Sequence, residues 1–362
     1  MSDRMVRAFC DMVRIDSESG NEARFIDYMR GEITRRLGAR CTVDDHGNLV
    51  ARVPAKGNGS ARPILLGAHA DTVKPGVGIE PVVEDGMIRS RGDTVLGADN
   101  KAAIAEILEA VETADIRPPL EIVLTRGEEV GLVGARNLDM SLISARTGFV
   151  VDSGRLDTVT IGGPTHVAFD VTIVGRAAHA GLRPEAGISA IRVAAQAIVR
   201  MPEGRIDEET TANLGIIHGG AIRNGVPAEV RIQGECRSLD HEKCLRQADA
   251  MKRAFEDAAR EAGATVEVVV SVEYEASRLA EDAPTVKMAK AAIAAVGFEP
   301  RTEISRGGSD ALVLNMRGVE TVLLGYGGKS AHTTDEHIAI TDMVKATELL
   351  RTLLVQTAVD GE

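Results

Sequence analysis

The fold is constrained most by a series of short apolar runs that each stop abruptly at acidic residues or at a histidine. The runs, with the residues that follow them, are 64–66 before His69, 120–124 before Glu128 and Glu129, and 149–151 before Asp152. Helical patterns of apolar residues separate the runs, and this alternation predicts an α/β sheet. Ligand sites in open α/β sheets lie beyond the carboxyl ends of the strands. We therefore expect the three polar ends to line one pocket.

The pattern of elements changes between residues 163 and 274. The sequence there predicts a strand, a helix over 184–200, two strands, a long helix and a last strand. This β-α-β-β-α-β order is typical of a ferredoxin-like sandwich, which is self-contained. The earlier pattern resumes at residue 275. The sequence therefore predicts a larger α/β domain in two parts, 1–162 and 275–362, around an inserted domain over 163–274.

Composition speaks against several classes of function. The net charge of −12 and an aromatic content of 2% disfavour nucleic-acid binding, which needs a basic face or aromatic stacking. No apolar stretch approaches the length of a membrane span. The cysteines Cys10, Cys41, Cys236 and Cys244 form neither a C-x-x-C pair nor a disulfide framework. They suit a reducing compartment, and we expect a cytoplasmic protein.

The glycine-rich segment G-Y-G-G-K-S-A-H-T-T-D-E, residues 325–336, invites a nucleotide-binding interpretation. A phosphate-cradling loop has the spacing G-x-x-x-x-G-K-[ST], which would put its first glycine at position 323. That position holds Leu323, and no helical pattern follows at once. The phosphate interpretation fails, and His332 remains as a candidate metal ligand.

Each candidate ligand also has an ordinary structural interpretation. His69 and Asp71 share one face of a strand, but an H-x-[DE] pattern arises by chance about once in such a chain. Asp99, in L-G-A-D-N-K, fits a helix N-cap. The adjacent glutamates of G-E-E-V-G fit a solvated turn. Asp152 fits a turn.

Taken together, the candidates supply two imidazoles and four or five carboxylates, nearly all at the ends of apolar strands. Carboxylates crowded at a strand end repel each other unless a cation or a proton intervenes. A donor set of this size suits two divalent ions such as zinc, cobalt or manganese. It exceeds what one tetrahedral zinc requires.

Seven motifs then occur in the order of one known family. They are A-H-A-D-T-V, L-G-A-D-N-K-A, G-E-E-V-G, V-D-S-G, G-R-A-A-H-A-G, G-G-S-D-A and A-H-T-T-D-E, after an opening I-D-S-E-S-G-N-E at 15–22. The whole chain resembles the aminoacylase/carboxypeptidase-type superfamily of co-catalytic metallopeptidases, and most closely its peptidase T-like (tripeptide aminopeptidase) branch. The resemblance implies a zinc-peptidase-like catalytic domain, with a mixed sheet flanked by helices, and an inserted lid and dimerisation domain.

The resemblance also assigns roles residue by residue. Asp99 matches the carboxylate that bridges two metal ions, His69 and Asp152 match the ligands of one ion, and Glu129 and His332 match those of the other. Asp71 matches the partner of His69, and Glu128 matches the general base that acts on a water held between the ions. Asn100 stands where the peptidase T branch commonly has a second Asp, a change that affects only local charge.

Four further positions match substrate-binding motifs of the family. His179 matches a lid histidine that donates to the substrate, commonly across a dimer interface, although a lone histidine after a strand is more often structural. Asn224 matches a contact with the substrate backbone. Arg237 suits either a substrate α-carboxylate or a surface salt bridge. Gly308 suits close approach of the backbone to the substrate, or a plain turn.

The implied activity is metal-dependent hydrolysis of an amide bond in a small peptide. An Asp at position 152 is common in aminopeptidase-like members, which favours release of an N-terminal residue from di- or tripeptides. The alternatives are an N-acyl-amino-acid amidohydrolase or dipeptidase of the same superfamily, and a metal-binding homologue without catalysis. The presence of Glu128 and of every matched ligand speaks against the last.

Overall fold

The computed structural model describes residues 2–57 and 62–359. Its α-helices are α1 (Ser2–Val13), α2 (Ala23–Leu37), α3 (Ala98–Thr113), α4 (Val133–Asn137), α5 (Ala190–Ile198), α6 (His241–Ala262), α7 (Pro284–Ala295), α8 (Asp310–Met316) and α9 (Ile340–Val359). Its first nine strands are β1 (Arg40–Val43), β2 (Leu49–Val53), β3 (Ile64–His69), β4 (Pro81–Glu84), β5 (Met87–Ser90), β6 (Leu120–Thr125), β7 (Thr147–Ser153), β8 (Thr158–Thr160) and β9 (Gly162–Gly163). The others are β10 (Thr165–Val174), β11 (Gly204–Arg205), β12 (Thr210–Gly219), β13 (Glu229–Ser238), β14 (Thr265–Tyr274), β15 (Ser277–Arg278), β16 (Arg301–Glu303), β17 (Glu320–Gly325) and β18 (His337–Ala339).

The chain forms two compact units, Met1–Gly162 with Arg278–Glu362, and Gly163–Ser277. The first unit contains an eight-stranded sheet in the order β1-β2-β6-β3-β7-β17-β8-β16. Parallel and antiparallel pairs both occur in it, so the mixed sheet predicted from the sequence is confirmed. Among the described residues, none of the helices combines the length and the apolar character that a membrane span requires.

The middle of this sheet brings the predicted polar strand ends to one edge. β6, β3, β7 and β17 are consecutive neighbours and run parallel. β3 and β6 are buried along their whole length, as expected for strands covered by helices on both faces. Because the four strands point the same way, the residues that follow them emerge side by side.

The helix α3 forms the centre of the aliphatic core of this unit. Its sequence is rich in Ala, and it packs against α1, α9 and the sheet strands β3 and β7. The small side chains allow this close approach, and nearly every residue of the helix is buried. The N-terminus of α3, which carries Asp99, is thereby fixed relative to the strand ends.

The second unit has an antiparallel sheet in the order β11-β12-β13-β10-β14. Strand β10 alternates buried and more exposed residues, and its buried face packs on α5 and α6. The predicted β-α-β-β-α-β order is present, with the two-residue strand β11 added. The helix predicted over 184–200 is wrong at its start: Pro184–Ala186 forms a 3₁₀ turn, and α5 begins after Ser189, whose side chain accepts from Arg192 N.

The cap position of α2 is Glu22, whose side chain makes no capping hydrogen bond. The Glu22 carboxylate instead accepts from Gly20 N at 2.9 Å, Gly127 N at 3.1 Å and the guanidinium of Arg126. The carboxylate of Glu22 therefore stabilises the turn that follows β6.

Candidate metal centre

Asp99 is the central carboxylate of the site, because its two oxygens face two different imidazoles. Its Oδ1 lies 3.1 Å from His69 Nε2, and its Oδ2 lies 3.4 Å from His332 Nε2. Asp99 does not act as an N-cap, since the cap position is Gly97, and the φ and ψ angles of Asp99, −78° and 99°, are not helical. With this backbone the carboxylate lies between the two imidazoles. The carboxylate can thus serve two centres at once.

His69 ends β3 and is 2% exposed. Its Nδ1 lies 3.0 Å from the main-chain oxygen of Asp71, a group that can only accept, so Nδ1 carries the proton and donates. The other ring nitrogen, Nε2, faces Asp99 at 3.1 Å and Oδ1 of Asp152 at 3.4 Å. A histidine oriented in this way by its other ring nitrogen is the usual form of a metal-binding imidazole.

His332 provides the second half of the site. Its Nε2 lies 2.8 Å from Oε1 of Glu129. The side chain of His332 is 55% exposed, whereas those of Asp99 and Glu129 are 14% and 7% exposed. His332 lies in the loop after β17 and has a left-handed backbone with φ of 65°, which is uncommon for a residue other than glycine.

Asp71 organises the turn that carries the paired glutamates. Its Oδ1 accepts from Glu128 N at 3.0 Å, and its Oδ2 accepts from Glu129 N at 3.2 Å and from Ser19 Oγ at 2.7 Å. Oδ1 also lies 3.4 Å from His69 Nδ1, farther than the main-chain oxygen of Asp71. The carboxylate of Asp71 therefore orients the glutamate turn more directly than it orients His69.

The donor atoms form two overlapping groups. The ligand atoms of His69, Asp99 and Glu129 lie within 4.8 Å of one another, and so do those of His69, Glu128 and Asp152. Glu128 and Glu129, although adjacent in sequence, thus contribute to different sides of the cluster.

The cluster is short of positive charge. Burial raises the pKa of Asp152 to about 8, and burial together with the neighbouring Asp152 raises the pKa of Glu128 well above its usual value. Hydrogen bonds to Asp99 and Glu129 raise the pKa of His332 to about 10. Carboxylates that resist ionisation beside a strongly basic imidazole form a donor set to which divalent cations are complementary.

Three residues that support the site received no role from the sequence. They are Glu22, which bonds the glutamate turn, Glu336, which bonds the backbone at Asp99, and the buried Asp310, which accepts from Thr125 Oγ1. All three lie inside the motifs that carried the family resemblance. Their membership of those motifs was the available signal.

Three of the four candidate substrate-binding residues lie in the second unit, and two of these come together there. His179 and Asn224 line a mostly apolar cavity of about 480 Å³. Nδ1 of His179 accepts from Gly181 N and Leu182 N, both at 3.2 Å. The proton of a neutral His179 is therefore on Nε2, which can donate to another molecule.

The remaining two candidates have ordinary local surroundings. The guanidinium of Arg237 bonds both oxygens of Glu235, at 3.1 and 2.9 Å, which is the salt bridge named as its alternative. Gly308 lies in the first unit, in the loop that leads into α8. Both assignments stay predictions.

Two family models match parts of the chain. One is described as a peptidase dimerisation domain and matches residues 162–263, and the other is described as peptidase family M28 and matches residues 48–183. Both descriptions name peptidases. The first coincides with most of the second compact unit.

Relatives match nearly the whole chain. A Bacillus subtilis protein, YqjE, is 39% identical over 98% of both chains. The crystal structure of aminopeptidase PepT from Bacillus cereus is 39% identical, covers 99% of both chains and gives a TM-score of 0.86. A tripeptidase structure from Staphylococcus aureus is 35% identical, covers 99% of both chains and gives a TM-score of 0.91. With this identity and coverage, the chain belongs to the aminoacylase/carboxypeptidase-type (M20) family of metallopeptidases, in its peptidase T-like branch.

Proposed function

We propose that the protein is a dinuclear metallo-aminopeptidase that removes the N-terminal residue from di- or tripeptides. The observation that carries the proposal is the position of Asp99, whose two oxygens face His69 and His332. A carboxylate between two imidazoles, each with a further carboxylate beside it, fits a pair of divalent ions. The names aminopeptidase and tripeptidase of the relatives support the substrate class.

The residues present fit two ions of the zinc type, with cobalt or manganese as alternatives. His69 and Asp152 would hold one, Glu129 and His332 the other, and Asp99 both. The ions would supply positive charge that acidifies a water and polarises the scissile carbonyl. The donor set is all nitrogen and oxygen, which zinc, cobalt and manganese all accept as ligands.

Glu128 is the residue that moves the proton. Its carboxylate accepts the proton of the attacking water and returns it to the nitrogen of the leaving amine. Burial and Asp152 raise the pKa of Glu128, which suits a group that must both accept and release a proton near neutral pH. Asp71 holds the backbone of Glu128 and thus fixes the direction from which it acts.

The second unit contributes binding groups in this proposal. His179 donates from Nε2 to the oxygen that gains charge during attack, and Asn224 contacts the substrate backbone. Residues 163–274 serve as lid and dimerisation domain in a cytoplasmic homodimer, and the match to a peptidase dimerisation domain supports the dimer. Arg237 and Gly308 supply further contacts with the substrate in this proposal.

A substrate panel tests the proposal. The zinc- or cobalt-loaded protein is assayed against tripeptides, dipeptides and N-acyl amino acids, with product amines measured by chromatography. We expect free N-terminal residues from tripeptides or dipeptides. Cleavage of acyl-amino acids alone would favour the amidohydrolase alternative and overturn the peptidase proposal.

The variant Glu128→Gln tests the mechanism. Loss of the proton-accepting carboxylate should lower kcat by at least about 100-fold, the scale of general acid–base catalysis, while metal content is unchanged. Glu84→Gln, an exposed substitution on β4, is the control and should retain full activity. Full activity of Glu128→Gln would remove Glu128 from this role.

A further inference from the structure

Glu336 connects the two halves of the metal centre through the backbone. Its carboxylate is buried, with the residue 2% exposed, although it lies only four positions after His332. Oε2 accepts from Gly97 N at 2.7 Å, and Oε1 accepts from Asp99 N at 2.8 Å. Both carboxylate oxygens therefore accept hydrogen bonds from the main chain around Asp99.

The segment that receives these bonds is the irregular first turn of α3. The first N–H groups of a helix have no partner within the helix, and here Gly97 has a left-handed φ of 72° while Asp99 is not helical. One carboxylate that accepts from both positions fixes the orientation of the peptide units on either side. The direction of the Asp99 side chain depends on these peptide units.

The other end of Glu336 is anchored in the loop of His332. Glu336 N donates to Thr333 O at 3.1 Å, and His337 pairs with Lys329 through two main-chain hydrogen bonds of 3.1 and 2.9 Å. The loop 329–337 is thus closed on itself around His332. A shift of the Glu336 carboxylate would move Asp99 relative to His332.

We propose that Glu336 is a positioning residue that sets the placement of Asp99 relative to His332 and thereby the affinity for the metal ion these two residues share with Glu129. The inference rests on the proposed dinuclear site. Glu336 acts through the backbone of Asp99, since its two oxygens are occupied by Gly97 N and Asp99 N.

The variant Glu336→Gln tests the inference with little change of shape. An amide nitrogen cannot accept, so one of the two backbone bonds is lost and an N–H is placed against an N–H. Glu121→Gln is the matched control. Glu121 is also 2% exposed and accepts from Ser144 N and Ala145 N, each at 3.0 Å, but it lies near the start of β6, opposite the end that leads to the centre.

Metal-depleted wild type and both variants are titrated with Zn²⁺ by calorimetry, and kcat and KM for a tripeptide are measured on the loaded proteins. For Glu336→Gln we expect the affinity for one of two ions to fall about 10- to 100-fold, as for other groups that orient ligands, and kcat to fall with KM unchanged. Glu121→Gln should bind both ions as wild type does, although it should lose about as much thermal stability as Glu336→Gln. Wild-type affinity in Glu336→Gln, or an equal loss in Glu121→Gln, would overturn the inference.

The outcomes also separate the inference from the proposed function. If wild type binds two ions without cleaving peptides, the function fails while a weakened ion in Glu336→Gln still supports the positioning role. If wild type cleaves tripeptides and Glu336→Gln binds metal normally, the positioning role alone fails. Should Glu336→Gln not fold, Glu336→Asp replaces it. Its shorter side chain cannot span both N–H groups, and the same loss of affinity is expected.

Discussion

Glu106, a carboxylate of α3 outside the metal centre, shows how burial acts on a single residue. It is 0% exposed, and neither oxygen has a hydrogen-bond partner within the described part of the chain. Burial, and to a lesser degree the charge of Asp342, raises the pKa of Glu106 well above its usual value. The folded protein therefore keeps this side chain protonated at pH values where the unfolded chain has released the proton.

This difference makes stability depend on pH in a defined direction. As the pH rises above the ordinary pKa of a glutamate, the folded state binds more protons than the unfolded state, so the Glu106 contribution falls until the folded pKa is passed. Glu106→Gln removes this term. The free energy of unfolding of Glu106→Gln minus that of wild type should therefore increase by up to about 1.4 kcal/mol per pH unit over that range. Urea unfolding between pH 5 and pH 8 measures this difference.

Glu109→Gln is the control on the same helix. Glu109 is buried too, but its carboxylate pairs with Arg4 at 2.9 Å and with Arg36 at 3.5 Å. Loss of the Glu109 charge should destabilise the protein at both pH 5 and pH 8, because it removes one of the two carboxylates that Arg4 and Arg36 share, the other being that of Glu112. If the free energies of unfolding of wild type and Glu106→Gln changed in parallel with pH, Glu106 would be ionised in the folded state and the prediction would be wrong.

The sequence indicated polar side chains that the structure brings together, but it did not indicate the residues that support them. His69, Asp99, Glu129 and His332 have a chemistry that can be recognised in a motif, and the structure brings them together. The role of Glu336 depends on main-chain hydrogen bonds across 237 and 239 positions. The motif that contains Glu336 marks the residue, but no local pattern encodes which main-chain groups it bonds.

The helix α6 gives the clearest test at the scale of elements. It spans 22 residues and begins after Asp240, whose Oδ1 accepts from Lys243 N at 2.8 Å. Asp240→Ala removes this cap and should lower the free energy of unfolding by about 1 kcal/mol. Asp240→Ser keeps an accepting oxygen and should lose less. The measurement is thermal unfolding followed by circular dichroism, and equal stability of Asp240→Ala and wild type would contradict the assigned cap.

Elements were predictable where periodicity and burial agree. β3, β6 and β7 are runs of apolar residues, and the structure places all three in the middle of the larger sheet. The start of α5 was not predictable from its apolar pattern. Gly187 has extended angles, and the Ser189 cap restarts the helix, so local backbone geometry overrides the continuous helical period.

At the scale of the whole molecule, the fold explains how a short list of polar residues becomes one site. His69 and His332 are separated by most of the chain, yet both imidazoles meet the same carboxylate. Parallel strands place His69, Glu129 and Asp152 at one edge of the larger sheet, and the N-terminus of α3 places Asp99 at the same edge. The order of the motifs predicted this convergence, whereas the relative orientation of the side chains required the structure.

The most direct test of the account is the number and place of metal ions in crystals of the zinc-loaded protein, located by anomalous scattering at the zinc edge. The account predicts two peaks, one about 2.0–2.2 Å from His69 Nε2 and an oxygen of Asp152, and one at the same distance from His332 and Glu129. Asp99 should contribute one oxygen to each. A single peak, or zinc bound without His332 and Asp99, would contradict it.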